Sequence, residues 1–280
     1  MIDQHSKFVS SIESRLQDNG ELYGRFHLGT FVEGQALTVA NALRRTLLSE
    51  IPGFVVTSVQ IEGANHEFAT LPGIHESVLN ILLNIKRMAI TTRCSDLNQL
   101  LSSSSGSELQ ASIALSGPGS VTAGTIKFPS LLAPVCSTHA IATLSSTAKL
   151  NMRLKIAFLD PLQVKKFPSN RVKKISEVLP SSKKNLDARS MNDILHETQF
   201  HASSNQEELV LDTIPKPVRQ VNFSIHEAST RDTDEYISLE VWTDGSIQPK
   251  EALTCALEKL TRIFYEFTTL QKLHVNEISS

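Results

Sequence analysis

The chain has 280 residues, 40% of them hydrophobic and 20% charged, which supplies a core for one large or two smaller domains and excludes wholesale disorder or an uninterrupted coiled coil. Its formal net charge of -2 excludes attraction of the whole surface to nucleic acid or anionic membrane, so any such contact must be local. Cys94, Cys136 and Cys255 lie far apart with no CxxC pair, against a zinc ribbon or a disulfide framework, and no stretch approaches the ~20 apolar residues of a membrane span.

The opening residues carry Asp3, Lys7, Glu13, Arg15 and Asp18 with no apolar run between them, so no secretory signal is read there. Residues 22–31 read as a short strand entering a turn, and from Gly34 the pattern changes to helix period. Ala36, Val39, Ala40, Leu43 and Leu47 recur at three- and four-residue steps until Pro52-Gly53. Val55, Thr57, Val59 and Ile61 alternate as a strand, and Gly63-Ala64-Asn65 followed by His66-Glu67-Phe68 predicts a hairpin return. A second helix is predicted from Glu76 to about Met88; Val78, Leu79, Leu82, Leu83 and Ile85 cover more than half its circumference, which predicts packing from two directions.

Residues 102–134 are β material punctuated by Ser, Gly and Pro, and Leu150 to Leu159 alternates as another strand. The polar run 181–208 is given no secondary structure. Val221, Phe223 and Ile225, then, after the polar link 229–235, Ile237, Leu239 and Val241, make a second hairpin, after which Asp244-Gly245 turns the chain. Pro249 occupies a first helical position, and the segment to about Leu270 carries Ala252, Leu253, Ala256, Leu257, Leu260, Ile263, Phe264, Phe267 and Leu270 within an arc of roughly 140°. That stripe demands a partner surface.

Independent catalysis finds little support. Asp232 and Asp234 are the nearest approach to an acidic metal site, but a short charged link between two strands reads first as a solvated turn. The nine histidines show no HxxxH or HExxH spacing. Gly117-Pro118-Gly119-Ser120 has glycines but no lysine to reach a phosphate, so it reads as a turn. Lys165, Lys166, Arg171, Lys173, Lys174, Lys183 and Lys184 face one acid, Glu177; the segment is either a solvated loop or a local contact for nucleic acid or an acidic protein.

The first helix has two unlike sides. With the apolar stripe of Ala36 centred near 0 to 40°, Arg45 projects at about 180° and Leu37, Arg44 and Leu48 cluster near 80 to 120°. Arginine beside leucine is the composition of an interface hot spot, although single exposed leucines are also common. Lys86 sits between Leu79 and Leu82 on the second helix, where it either snorkels to water or meets a carboxylate of another chain.

Asn41-Ala42-Leu43-Arg44-Arg45-Thr46-Leu47-Leu48-Ser49, Pro52-Gly53 and the strand Val56 to Gly63 closely resemble the signature of the RNA polymerase α-subunit amino-terminal domain. The resemblance extends through His66-Glu67-Phe68-Ala69-Thr70 and Gly73-Ile74 to Ile81-Leu82-Leu83-Asn84-Ile85-Lys86. It resumes at Ser116-Gly117-Pro118-Gly119, Val121-Thr122-Ala123-Gly124, Pro217-Val218, Val221-Asn222-Phe223 and Thr243-Asp244-Gly245-Ser246-Ile247. It implies an α+β fold with a discontinuous dimerisation domain, 1–52 plus 209–280, and an inserted β-rich domain, 53–208. It also implies a homodimer that scaffolds assembly of the β and β′ subunits, with omega or sigma factor in the complex and DNA reached only through it.

Arg44, Arg45, Leu48 and Lys86 are thereby expected at the interface with β and β′. Leu43, Leu47, Leu253, Leu257, Leu260, Phe264 and Phe267 are expected at the dimer interface. No catalytic residue, metal ligand or cofactor is expected in this chain; magnesium and zinc belong to the large subunits. The chain ends ten residues after Leu270, so the family's promoter-binding C-terminal domain is not expected. That loss resembles plastid-encoded α subunits, which predicts the chloroplast stroma, with the bacterial cytoplasm as alternative. The competing function is a stand-alone nucleic-acid-binding regulator using 165–184, which would bind DNA alone with a steep salt dependence.

Overall fold

The computed structural model describes residues 8–17, 20–93, 109–164, 208–227 and 234–278. Strands β1 (Phe8–Leu16), β2 (Leu22–Val32), β11 (Val218–Glu227) and β12 (Asp234–Thr243) form one antiparallel sheet in the order β1-β2-β12-β11. Alternation sets its faces: Phe26, Leu28, Ile237, Leu239 and Val241 are buried on one side, while Tyr23 and Trp242 meet on the other with ring centroids 5.0 Å apart. Helices α1 (Gln35–Ser49) and α4 (Pro249–Ile278) cover the apolar side, and Ala36, Ala40, Ala252 and Ala256 admit close approach in that core. Gly34 opens α1 with φ +82, a left-handed conformation that glycine takes without a Cβ clash.

The second sheet has the order β5-β9-β3-β4-β7 and holds β3 (Gly53–Ile61), β4 (Ile90–Thr92), β5 (Leu109–Ser116), β7 (Leu132–Pro134) and β9 (Lys149–Leu159). β10 (Leu209–Val210) pairs with β3 off that path, and β6 (Gly119–Thr122) pairs separately with β8 (Ala140–Leu144). Helix α2 (Val78–Arg87) seals a second core with Val59, Ile61, Ile141, Leu150, Met152, Leu154 and Ile156. Its N-cap Ser77 accepts from Asn80 N at 3.3 Å, and Lys86 and Arg87 complement the dipole in its last turn. The short α3 (Pro161–Val164) follows β9. Lys259 on α4 ties this region to α1 by donating to the carbonyl of Glu50 at 2.5 Å and to Asp160 Oδ2 at 2.9 Å. No helix among the described residues is long and apolar enough to cross a membrane.

Several expectations need correction. His66-Glu67-Phe68 is not a returning strand: the segment turns, with Ala69 N donating to His66 O, and β3 takes β9 as its neighbour from Gly53↔Leu159 to Ile61↔Met152. The distant β9 buries an unbroken row of alternate apolar side chains, whereas the adjacent segment has one, Phe68, which is exposed. Helix α2 buries Val78, Ile81, Leu82 and Ile85 and meets both β3 of the second sheet and β8 of the two-stranded sheet, but its buried arc is narrower than predicted, with Leu83 44% exposed. The chain rejoins the first sheet later than position 209, because Leu209 is buried in the second core and Thr213 Oγ1 donates to Val56 O at 2.8 Å. Helix α4 runs past Leu270 to Ile278. The polar run 181–207 and the basic segment 165–184 lie outside the described residues.

Candidate functional site

Helix α1 is two-sided as a folded element. Ala36, Ala40, Leu43 and Leu47 point into the first core, while Leu37, Arg44, Arg45 and Leu48 are exposed. The spacing 37, 44, 48 follows i, i+7, i+11, so two leucines and Arg44 share one surface stripe with Arg45 beside them. Neither arginine forms an ion pair among the described residues. Helix α1 therefore carries two guanidinium groups and an apolar strip on its outer face.

Lys86 is exposed near the end of α2 and donates from Nζ to the carbonyl of Asp212 at 2.6 Å, which leaves ammonium hydrogens to spare. Its helical neighbour Leu83 is exposed with it, a residue the sequence pattern assigned to the core. Arg87, next along the chain, is also exposed.

The residues expected at the dimer interface divide. Leu43, Leu47 and Leu253 are only 0%, 1% and 2% exposed, and a second copy would have no surface of theirs to touch. They belong to the protomer's own core, where α1 and α4 meet the first sheet. Leu257 and Leu260 are half-buried at the margin of that core. Phe264 and Phe267, 66% and 68% exposed, lie on the outer half of α4 together with exposed Ile263 and Tyr265. Sequence reasoning missed β1 and its exposed Phe8, Val9, Ile12 and Leu16. A shift of register between Ser11 and Glu13 breaks the two-residue alternation that would have revealed the strand.

Of the acidic pair between the last two strands, Asp232 lies outside the described residues. Asp234 is buried as the first residue of β12, opposite Val32, and is no solvated turn. Cys136 and Cys255 are free thiols; burial pushes that of Cys255 up, and the Thr138 hydroxyl beside Cys136 pulls that one down.

Residues 30–264 match the RNA polymerase Rpb3/Rpb11 dimerisation domain. The chain is 40% identical over 279 residues to a DNA-directed RNA polymerase subunit alpha of Chlorella vulgaris, with 97% of this chain and 99% of that one covered. A subunit alpha of Thermosynechococcus vestitus is 31% identical over 280 residues, covering 97% of this chain and 74% of its own, and one of Mesostigma viride is 34% identical over 257 residues, covering 91% and 68%. An α+β chain of mostly antiparallel sheets, matched over most of its length by that domain and by these relatives, belongs to the α-subunit family of DNA-directed RNA polymerase.

Proposed function

We propose that two copies of this chain pair through the outer half of α4, and that the resulting dimer recruits the β and β′ subunits through the outer face of α1 and the Lys86 face of α2. The observation that carries this is the exposed surface of three well-formed helices. Arg44, Arg45 and Leu48 stand out from α1, Leu83 and Lys86 from α2, and Phe264 and Phe267 from α4. Apart from the bond of Lys86 to the Asp212 carbonyl, these side chains stand outside both cores among the described residues. Desolvated arginines and aromatics are the residues that concentrate binding energy at interfaces.

The two α copies are chemically identical, yet the β and β′ subunits differ, so one surface must serve two neighbours. A rigid helical face suits that requirement because its side chains keep fixed spacing against either partner. The division into a dimerisation lobe, formed by both ends of the chain, and an inserted β-rich lobe is supported by the two separate apolar cores. In this reading the chain contributes assembly, and the magnesium and zinc of the enzyme reside in the large subunits. Relatives from algae and from cyanobacteria support placing it in a plastid, with the bacterial cytoplasm as the alternative.

The test is Arg45→Ala, assayed by co-purification with β and by size-exclusion chromatography. The variant is expected to remain dimeric and to lose β, because Arg45 lies outside both the protomer core and the α4 surface. Normal capture of β by that variant would remove Arg45 from the interface.

A further inference from the structure

The two cores meet across a cleft of ≈ 1020 Å³ that the sequence gives no direct sign of. One wall is the end of α2, with Leu83, Lys86 and Arg87; the other is the connection 212–217 and the start of β11, with Ile214, Lys216 and Arg219. We propose that this cleft receives an acidic polypeptide segment of a larger polymerase subunit, anchored by apolar side chains and gripped from both lobes at once. The proposal rests on the reading that the Lys86 face meets a large subunit.

Charge complementarity argues for that occupant. Four cations, Lys86, Arg87, Lys216 and Arg219, line the cleft against two carboxylates, Asp212 and Asp244, in a chain whose overall charge is -2. All four cationic side chains are exposed. Lys86 is held by the Asp212 carbonyl, and Arg219 lies 3.5 Å from Glu21, outside the cleft; Arg87 and Lys216 form no ion pair among the described residues. Burial raises the Asp244 carboxyl above its usual range, and its Oδ1 is engaged within its own turn, accepting from Ser246 N at 2.9 Å.

The apolar lining favours protein over nucleic acid. Leu83 and Ile214 are exposed on opposite walls, 44% and 42%, and Pro215 and Pro217 offer no backbone donor to a phosphate. Bases would need exposed aromatic faces on which to stack, and Phe54, the one Phe, Tyr or Trp that lines the cleft among the described residues, is already engaged with Phe158 at 5.0 Å. Leucine and isoleucine beside cations fit a segment that alternates carboxylates with aliphatic side chains. Because the cations belong to both lobes, such a segment would also fix the lobes against each other.

The experiment uses the complex assembled by co-expression with β and β′, with the photoreactive residue p-benzoylphenylalanine in place of the exposed Ile214. Mass spectrometry of the cross-linked peptide is expected to return a net-acidic segment of β or β′. A cross-link to nucleic acid, to a second copy of this chain or to a neutral or basic segment would overturn the proposal, as would an assembled complex with no cross-link. In parallel, Lys216→Glu with Arg219→Glu should lower recovery of the large subunit at least tenfold at about 0.15 M salt, with the dimer intact. The control Lys216→Arg with Arg219→Lys should retain it. Wild-type recovery by the charge-reversed pair would overturn the cleft assignment alone. If the unmodified chain captures neither β nor β′, the reading of Lys86 falls and the cleft assignment falls with it.

Discussion

Glu208 shows how one side chain can record the re-entry of the chain into the second sheet. Its carboxylate lies 2.8 Å from the Lys155 ammonium on β9 and also accepts the hydroxyl of buried Ser58 on β3, so it spans two paired strands. Lys155 first and Ser58 second hold its carboxyl below the usual carboxylate range. The folded value is therefore depressed relative to the unfolded one. The stability it contributes is present in full above the unfolded value and is lost as pH falls through the folded one, a window that begins at the ordinary glutamate range and extends below it. Both side chains remain about one-third exposed, so the effect should be no more than about 1 kcal/mol. Urea unfolding across an acid series should show a shallower loss of stability for Glu208→Gln than for the parent chain. An identical slope would mean that Glu208 contributes nothing to acid sensitivity. Its strand context was invisible in the sequence because Ser58 lies 150 residues away and Lys155 53 residues away.

Among elements, what could be read depended on how local its cause was. Helices α1, α2 and α4 were legible because a periodic stripe, a proline at the first helical position and a Pro-Gly stop all act within a few residues. The outer face of α1 was legible for the same reason. Periodicity says that a face is covered but not by which chain, and so Leu43, Leu47 and Leu253 were assigned to a dimer although their own sheet covers them. Strand partners were legible only when adjacent: the hairpin of β11 and β12 was foreseen, while the pairing of β3 with β9 depends on a surface formed about a hundred residues later. The turn from β12 into α4 was legible as Asp244-Gly245, and the structure gives its cause. Gly245 has φ +85, and an added Cβ would stand 2.3 Å from the carbonyl oxygen of Gly20. Asp244 Oδ1 accepts from Ser246 N at 2.9 Å, which fixes the loop that starts α4. Gly245→Ala should therefore cost more than about 1 kcal/mol, from the backbone conformation and the clash together, measured by chemical denaturation. A cost near zero would show that the turn can relax into another form.

For the whole molecule, helix α4 joins two scales of organisation. Its first turns bury Ala252, Leu253 and Ala256 beneath α1 and complete the protomer. The same stripe then continues outward as Ile263, Phe264 and Phe267, all exposed among the described residues. Lys259 marks the change, anchored to Glu50 and Asp160 just where the helix leaves the core. Substitutions on the two sides of that point should therefore fail differently. Phe264→Asp with Phe267→Asp removes two aromatic side chains from the proposed pairing surface, each contributing ~1.5 to 3 kcal/mol when fully buried, and replaces them with charges that would be desolvated. Analytical ultracentrifugation should find monomers, with the circular dichroism and melting temperature of the protomer retained because both residues are exposed in it. Leu253→Ala should instead unfold the protomer more readily, by about 2 to 5 kcal/mol, because it opens a cavity between helix and sheet. A double aspartate variant that sediments as a dimer would mean that the outer half of α4 is not the pairing surface, and the exposed aromatic stripe would then need another partner.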